Sequence, residues 1–90
     1  NYLDIVKLLL DDKRFDINHY DYDWQTPLHY ACINGSFHVV KYLFENHQKY
    51  QIDLNSKDKN GITPFHYACQ SGNIELVDFM MNNDDDGEKI

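Results

Sequence analysis

The side chains of this chain best suited to chemistry are two His-x-x-Cys pairs, His29 with Cys32 and His66 with Cys69. Imidazole nitrogen and thiolate sulfur are both zinc ligands, and residues three apart on a helix lie on one face. Each pair brings only two donors, so neither helix closes a four-ligand shell by itself. A Cys–His nucleophile is the other chemistry on offer, and it needs an exposed thiol in an activating environment. The acidic run Asp84-Asp85-Asp86-Gly87-Glu88 lacks the alternating oxygen ligands and the closing Glu of a calcium loop, and it reads as a solvated tail or linker. The expectation is no catalytic residue, no metal and no cofactor. A zinc site on His29, Cys32, His66 and Cys69 is the alternative that metal analysis would decide.

The elements that hold these pairs explain their spacing. Thr26-Pro27-Leu28-His29-Tyr30-Ala31-Cys32 returns 37 residues later as Thr63-Pro64-Phe65-His66-Tyr67-Ala68-Cys69. The flanks repeat in register, with Asp16, Asn18, Asp21, Gly35 and Val40 matched by Asp53, Asn55, Asp58, Gly72 and Val77. Leu3 to Leu10 repeats the second half of the unit, 34 residues before Phe37 to Phe44. Self-similarity at such a period is the mark of a stacked repeat protein.

Thr-Pro is a helix start: the hydroxyl can accept from an orphan backbone N–H, and proline at the first helical position gives up a donor without an intrahelical partner. Leu28, Ala31 and Cys32, matched by Phe65, Ala68 and Cys69, form a narrow apolar face that lets helices approach closely. Gly35 and Gly72 supply a left-handed residue that ends this first helix after about two turns. A second helix follows, with apolar positions Phe37, Val39, Val40, Leu43 and Phe44 matched by Ile74, Leu76, Val77, Met80 and Met81, and earlier by Leu3, Ile5, Val6, Leu9 and Leu10. Tyr42, Phe44, Phe65 and Phe79 are expected in the core. Between units, Asp, Asn and Gly predict tight turns, with Ile17 and Leu54 as apolar pegs of an extended finger.

A formal charge of −7 with scattered basic residues argues against a nucleic-acid backbone as partner. No stretch is long and apolar enough for membrane insertion, and no leader opens the chain. Cys32 and Cys69 sit at equivalent places in successive units, roughly 10 Å apart by helix packing, beyond the roughly 7 Å limit for a disulfide. Two reduced, buried thiols predict an intracellular, cytoplasmic protein. The opening inside a helical pattern reads as an excerpt of a longer array.

Asp58-Lys59-Asn60-Gly61-Ile62-Thr63-Pro64-Phe65-His66-Tyr67-Ala68-Cys69, followed by Gly72, Ile74, Glu75, Leu76 and Val77, resembles an ankyrin repeat. The resemblance implies an all-α solenoid of helix-turn-helix units joined by hairpin-like fingers: a trailing half repeat at 2–18, a complete repeat at 19–55, a further repeat at 56–83 and an acidic tail at 84–90. It also implies that the His stabilises neighbouring turns and that the Cys stands where a small residue packs. Three departures stand out. Trp24 occupies the usual turn-glycine position, which predicts another turn type or an indole used in packing. Glu45 to Gln51 is about four residues longer than the usual connection. Asn82-Asn83-Asp84-Asp85-Asp86-Gly87 replaces the usual ending.

In ankyrin-like modules the finger tips and the exposed side of each first helix meet a protein partner. Carried over, that surface is Tyr20, Tyr22, Asp23, Gln25, Ile33 and Asn34 in one unit and Lys57, Lys59, Asn60, Ile62, Gln70 and Ser71 in the next. These positions differ between units while the framework is nearly identical. The expected function is non-catalytic protein binding or scaffolding, with a partner that has a basic rim. A structural spacer or regulatory segment in a larger enzyme or channel is the alternative.

Overall fold

The computed structural model describes residues 2–12, 14 and 16–83, so the acidic segment 84–90 lies outside the described residues. Six helices follow in order: α1 (Tyr2–Leu10), α2 (Pro27–Ile33), α3 (Phe37–Glu45), α4 (His47–Tyr50), α5 (Pro64–Ser71) and α6 (Ile74–Asn82). No strand occurs among the described residues. The first helices of the two complete units, α2 and α5, pack side by side, and the second helices stack as α1 on α3 and α3 on α6. This is the all-helical solenoid expected from the repeat.

Local chemistry sets the helix ends. Thr26 caps α2 from an extended backbone, with His29 N–H donating to Thr26 Oγ1 at 3.4 Å and Thr26 N–H donating to His29 Nδ1 at 3.1 Å. Imidazole thus fills the place of the Glu or Gln that usually completes a capping box. Gly35 at φ 66° and Gly72 at φ 77° end the first helices as expected. Asn73 then accepts from Leu76 N–H to start α6, and its amide donates to Gly35 O at 3.1 Å, tying the two inter-helix turns together.

The core runs between the layers. Leu28, Cys32, Val40, Leu43 and Leu76 are fully buried, and the pegs Ile17 and Leu54 are buried beside them. Each large aliphatic side chain taken out of water contributes roughly 1.5–3 kcal/mol. Phe79 stands edge-to-face against both Phe37 and Phe44, with centroids 5.7 Å apart in each pair. The long connection folds into α4, whose stop is Gln51 at φ 55°, with Ile52 N–H closing back on His47 O at 2.8 Å. Tyr50 Oη donates to Asp11, and Asn18 clasps the connection by donating to Gln51 O at 2.7 Å and accepting from Asp53 N–H at 2.9 Å.

Several expected core positions are corrected. Phe65 is 37% exposed, Ile74 83%, Met81 64%, Ile5 54% and Leu9 39%, and Cys69 is exposed while only Cys32 is buried. The reason is positional. The α5–α6 pair covers the equivalents of Phe65, Cys69 and Ile74 on α2–α3, but no described element covers α5–α6 in turn. Ile5 and Leu9 lie on α1, which no described first helix of its own unit covers, although Leu9 still lines a small pocket with Val39 and Leu43 of α3. Among the described residues no helix is long and apolar enough to cross a membrane.

Candidate partner-binding surface

Each finger is built around one aspartate. Asp21 N–H donates to Gln25 O at 3.1 Å and Trp24 N–H to Asp21 O at 2.9 Å; in the next finger Asp58 N–H donates to Ile62 O and Gly61 N–H to Asp58 O, both at 2.9 Å. The side chains do the same work twice. Asp21 Oδ1 accepts from the N–H groups of Asp23 and Gln25, and Asp58 Oδ1 from those of Asn60 and Ile62. Trp24 holds φ 63° where Gly61 holds φ 78°. The expectation of another turn type is therefore corrected: the two fingers share one hydrogen-bonded turn, and the indole is 54% exposed.

The other carboxylate oxygen of each aspartate is taken by a tyrosine nine residues on, Tyr30 Oη donating to Asp21 Oδ2 and Tyr67 Oη to Asp58 Oδ2. These short pairs bolt each finger to the first helix of its own unit. Asp58 is only 3% exposed. Burial pushes its carboxyl pKa up, but the Tyr67 hydroxyl, the Ile62 and Asn60 N–H groups and the Gln25 amide more than offset this and hold it at about 2. The Tyr30 hydroxyl and the Gln25 N–H hold Asp21 below the usual carboxylate range. In return, the carboxylate bonds raise both tyrosine hydroxyls, and the field of the Asp23 carboxylate raises both further.

Successive units are joined through the same region. His29 Nδ1 already accepts from Thr26 N–H, so Nε2 carries the proton and donates to Ile62 O at 3.0 Å across the unit boundary. Gln25 Nε2 donates to Tyr67 Oη at 3.0 Å and Asp58 Oδ2 at 3.3 Å, and Lys59 N–H donates to Asp23 O at 2.9 Å. Both ring nitrogens of His29 are thus engaged in structure. Burial pushes the Cys32 thiol up to about 12, away from the thiolate that a ligand or nucleophile requires. Among the described residues no three His, Cys, Asp or Glu side chains gather as a metal set.

The structure distributes the residues anticipated for binding unevenly. Tyr20 (59% exposed), Tyr22 (97%), Asp23, Asn34, Lys57, Lys59, Asn60 and Gln70 lie open to solvent, and Ile33 is 38% exposed. Asp23 and Lys59 are brought together at the junction of the fingers by the backbone bond between them. Gln25, Ile62 and Ser71 are half-buried and also make internal bonds. Gln25 ties Tyr67 and Asp58, Ile62 gives its carbonyl to His29, and Ser71 Oγ donates to Ala68 O and accepts from Asn73 N–H. Trp24, Tyr30 (44% exposed) and Phe65 join the open surface without having been anticipated there. The Asp-to-Tyr spacing of nine, present in both copies, is the signal that would have revealed the bolts.

A family model described as ankyrin repeats, in three copies, matches residues 1–90. The chain is 43% identical over 44 residues to the serine/threonine-protein kinase TNNI3K of Mus musculus, a match covering 49% of this chain and 5% of the kinase. It is 43% identical over 44 residues to the ankyrin repeat domain-containing protein 7 of Homo sapiens, covering 49% of this chain and 17% of that protein. It is 39% identical over 41 residues to the palmitoyltransferase akr1 of Aspergillus oryzae, covering 46% of this chain and 6% of the enzyme.

Proposed function

Because the chain belongs to the ankyrin-repeat family, a class of non-catalytic modules that generally mediate protein–protein interaction, we propose that it binds a protein partner across its finger tips and the open side of α2 and α5. The observation that carries this reading is the Trp24 turn. A bulky side chain held in the left-handed region costs about 1–2 kcal/mol, in a turn that Gly61 makes without that penalty, while the indole stays 54% exposed. Tyr20 and Tyr22 stand beside it, and exposed Tyr and Trp are the side chains that most often anchor an interface.

The test is affinity capture followed by titration. A partner retained by the wild type and by Lys41→Ala, which changes an exposed position of α3, is expected to lose about 1–2 kcal/mol of binding on Tyr22→Ala. Equal affinity for Tyr22→Ala and wild type, with loss on Lys41→Ala, would move the interface to the outer helices.

The lengths of the relatives favour a second reading. The chain spans 5% of the kinase, 17% of the human protein and 6% of the palmitoyltransferase, so the same stack can serve as a spacer or regulatory segment within a larger protein. In that case the fingers contact another domain of the same chain. We further propose that the units divide at 2–18, 19–55 and 56–83 and that the setting is intracellular.

A further inference from the structure

The two fingers touch, yet they present opposite characters. Between Arg14 and Lys41 the chain carries no Lys or Arg, and its charges there are Asp16, Asp21 and Asp23. Asp21 is spent on its turn and on Tyr30, whereas among the described residues no hydrogen bond or ion pair holds the Asp23 carboxylate. That carboxylate lies close enough to Tyr30 and Tyr67 to perturb both hydroxyls. Tyr22 and Trp24 flank it in the chain, and their rings and that of Tyr30 are exposed. A guanidinium suits such a place, because it can stack on a ring face while pairing with a carboxylate.

The second finger has no aromatic residue from Asn55 to Ile62, and its open charges are Lys57 and Lys59. Asp58 between them turns inward, buried and fully hydrogen-bonded. Two ammonium groups and the exposed Asn60 form a surface for a carboxylate. The Lys59 N–H to Asp23 O bond fixes the two surfaces edge to edge, so one ligand segment can meet both.

Resting on the protein-binding reading above, we infer that the partner presents a bipolar segment, with an Arg-bearing end seated on the aromatic, acidic first finger and a carboxylate-bearing end on the lysines of the second. A uniformly basic segment would meet Lys57 and Lys59 at its far end, and a uniformly acidic one would meet Asp23. Like charges brought together at an interface oppose binding, so the pair of fingers selects on charge order as well as on charge.

Three randomised peptide libraries test this on the 90-residue chain: one with Arg fixed near one end and Glu near the other, one with Arg at both positions and one with Glu at both. The bipolar library is expected to yield peptides binding about tenfold tighter than the best from either other library, with the advantage shrinking at high salt. A nitroxide on the Arg end should broaden backbone amides of residues 20–25, and one on the Glu end those of 57–61. Asp23→Asn should remove the advantage of the bipolar peptides and leave thermal unfolding unchanged. Arg-only or Glu-only peptides that bind the fingers as tightly as bipolar ones would overturn the inference while leaving the protein-binding reading intact. Binders from all three libraries that broaden α3 and α6 and spare both fingers would overturn both.

Discussion

The heptapeptide that begins at Thr26 and the one that begins at Thr63 are nearly the same sequence in two different surroundings. In the first, His29 is fully buried and bonded to the next unit, Cys32 is fully buried and Thr26 is 4% exposed. In the second, His66 and Cys69 are exposed, and among the described residues the His66 ring reaches only its own Thr63. The difference teaches that the motif has two separable jobs. Starting a helix is local and is done twice. Joining units is done only where a neighbour offers a carbonyl to the far ring nitrogen.

The largest expected contrast is in the thiols. A disulfide reagent applied to the native protein should modify Cys69 about a hundredfold or more faster than Cys32, whose thiol is buried and whose pKa is pushed up to about 12. Mass spectrometry of the singly modified protein reads this directly. Equal labelling would mean that α5–α6 does not cover α2–α3 in solution.

The histidines should differ next. His29→Ala strands the Ile62 carbonyl and the Thr26 N–H in a buried place and is expected to cost about 2–4 kcal/mol, the sum of a lost cap and unsatisfied polar groups. His66→Ala loses only a helix-start contact and should cost about 0.5–1 kcal/mol. Urea denaturation with a common slope measures both. Matching losses would show that the cross-unit bond adds nothing.

Much of this contrast is invisible in a single chain read end to end. Thr-Pro starts and Gly stops were legible because their partners lie within four residues, as were the pegs Ile17 and Leu54 from their polar flanks. Burial of Cys32 but not Cys69 was not legible, because it is set by which neighbour is present and not by the heptapeptide. Exposure was legible at Tyr20, Tyr22, Lys57 and Lys59, which sit in polar finger segments. At Gln25 and Ile62 the internal bonds were not legible, because their partners Tyr67, Asp58 and His29 lie 33 to 42 residues away. At Trp24 residue type points to a different turn, while the Asp21 hydrogen bonds enforce the same backbone regardless.

The paired aspartates sharpen the comparison on the pH axis. The folded-state pKa of Asp58, about 2, lies below its ordinary 3.8, so its contribution is fully present above pH 4 and is lost as pH falls through 2. Between those limits the wild type should lose on the order of 1–2 kcal/mol more than Asp58→Asn does. Urea midpoints of the two proteins at pH 4 and pH 2 give the difference. Parallel acid profiles would remove Asp58 from the list of groups that hold the units together.

The smallest effect should come from the finger tips. Trp24→Gly is expected to raise stability by about 0.5–1 kcal/mol, since relief of the left-handed strain exceeds the added chain entropy. Gly61→Ala should lower it by a similar amount. A loss of stability on Trp24→Gly would mean that the indole supports the fold after all.

The short helix α4 has a consequence for how such chains change over generations. Added residues between Glu45 and Ile52 are closed off as one helical turn with its own stop at Gln51, clasped at the base by Asn18, and the stack on either side keeps its bonds. Lengthening a loop adds only a slowly growing entropic cost. The connection is therefore a permissive locus for insertion and deletion, where copies of the unit can differ in length without disturbing the fingers. Ancestry among such units is better traced by their caps and aspartate bolts than by counting residues.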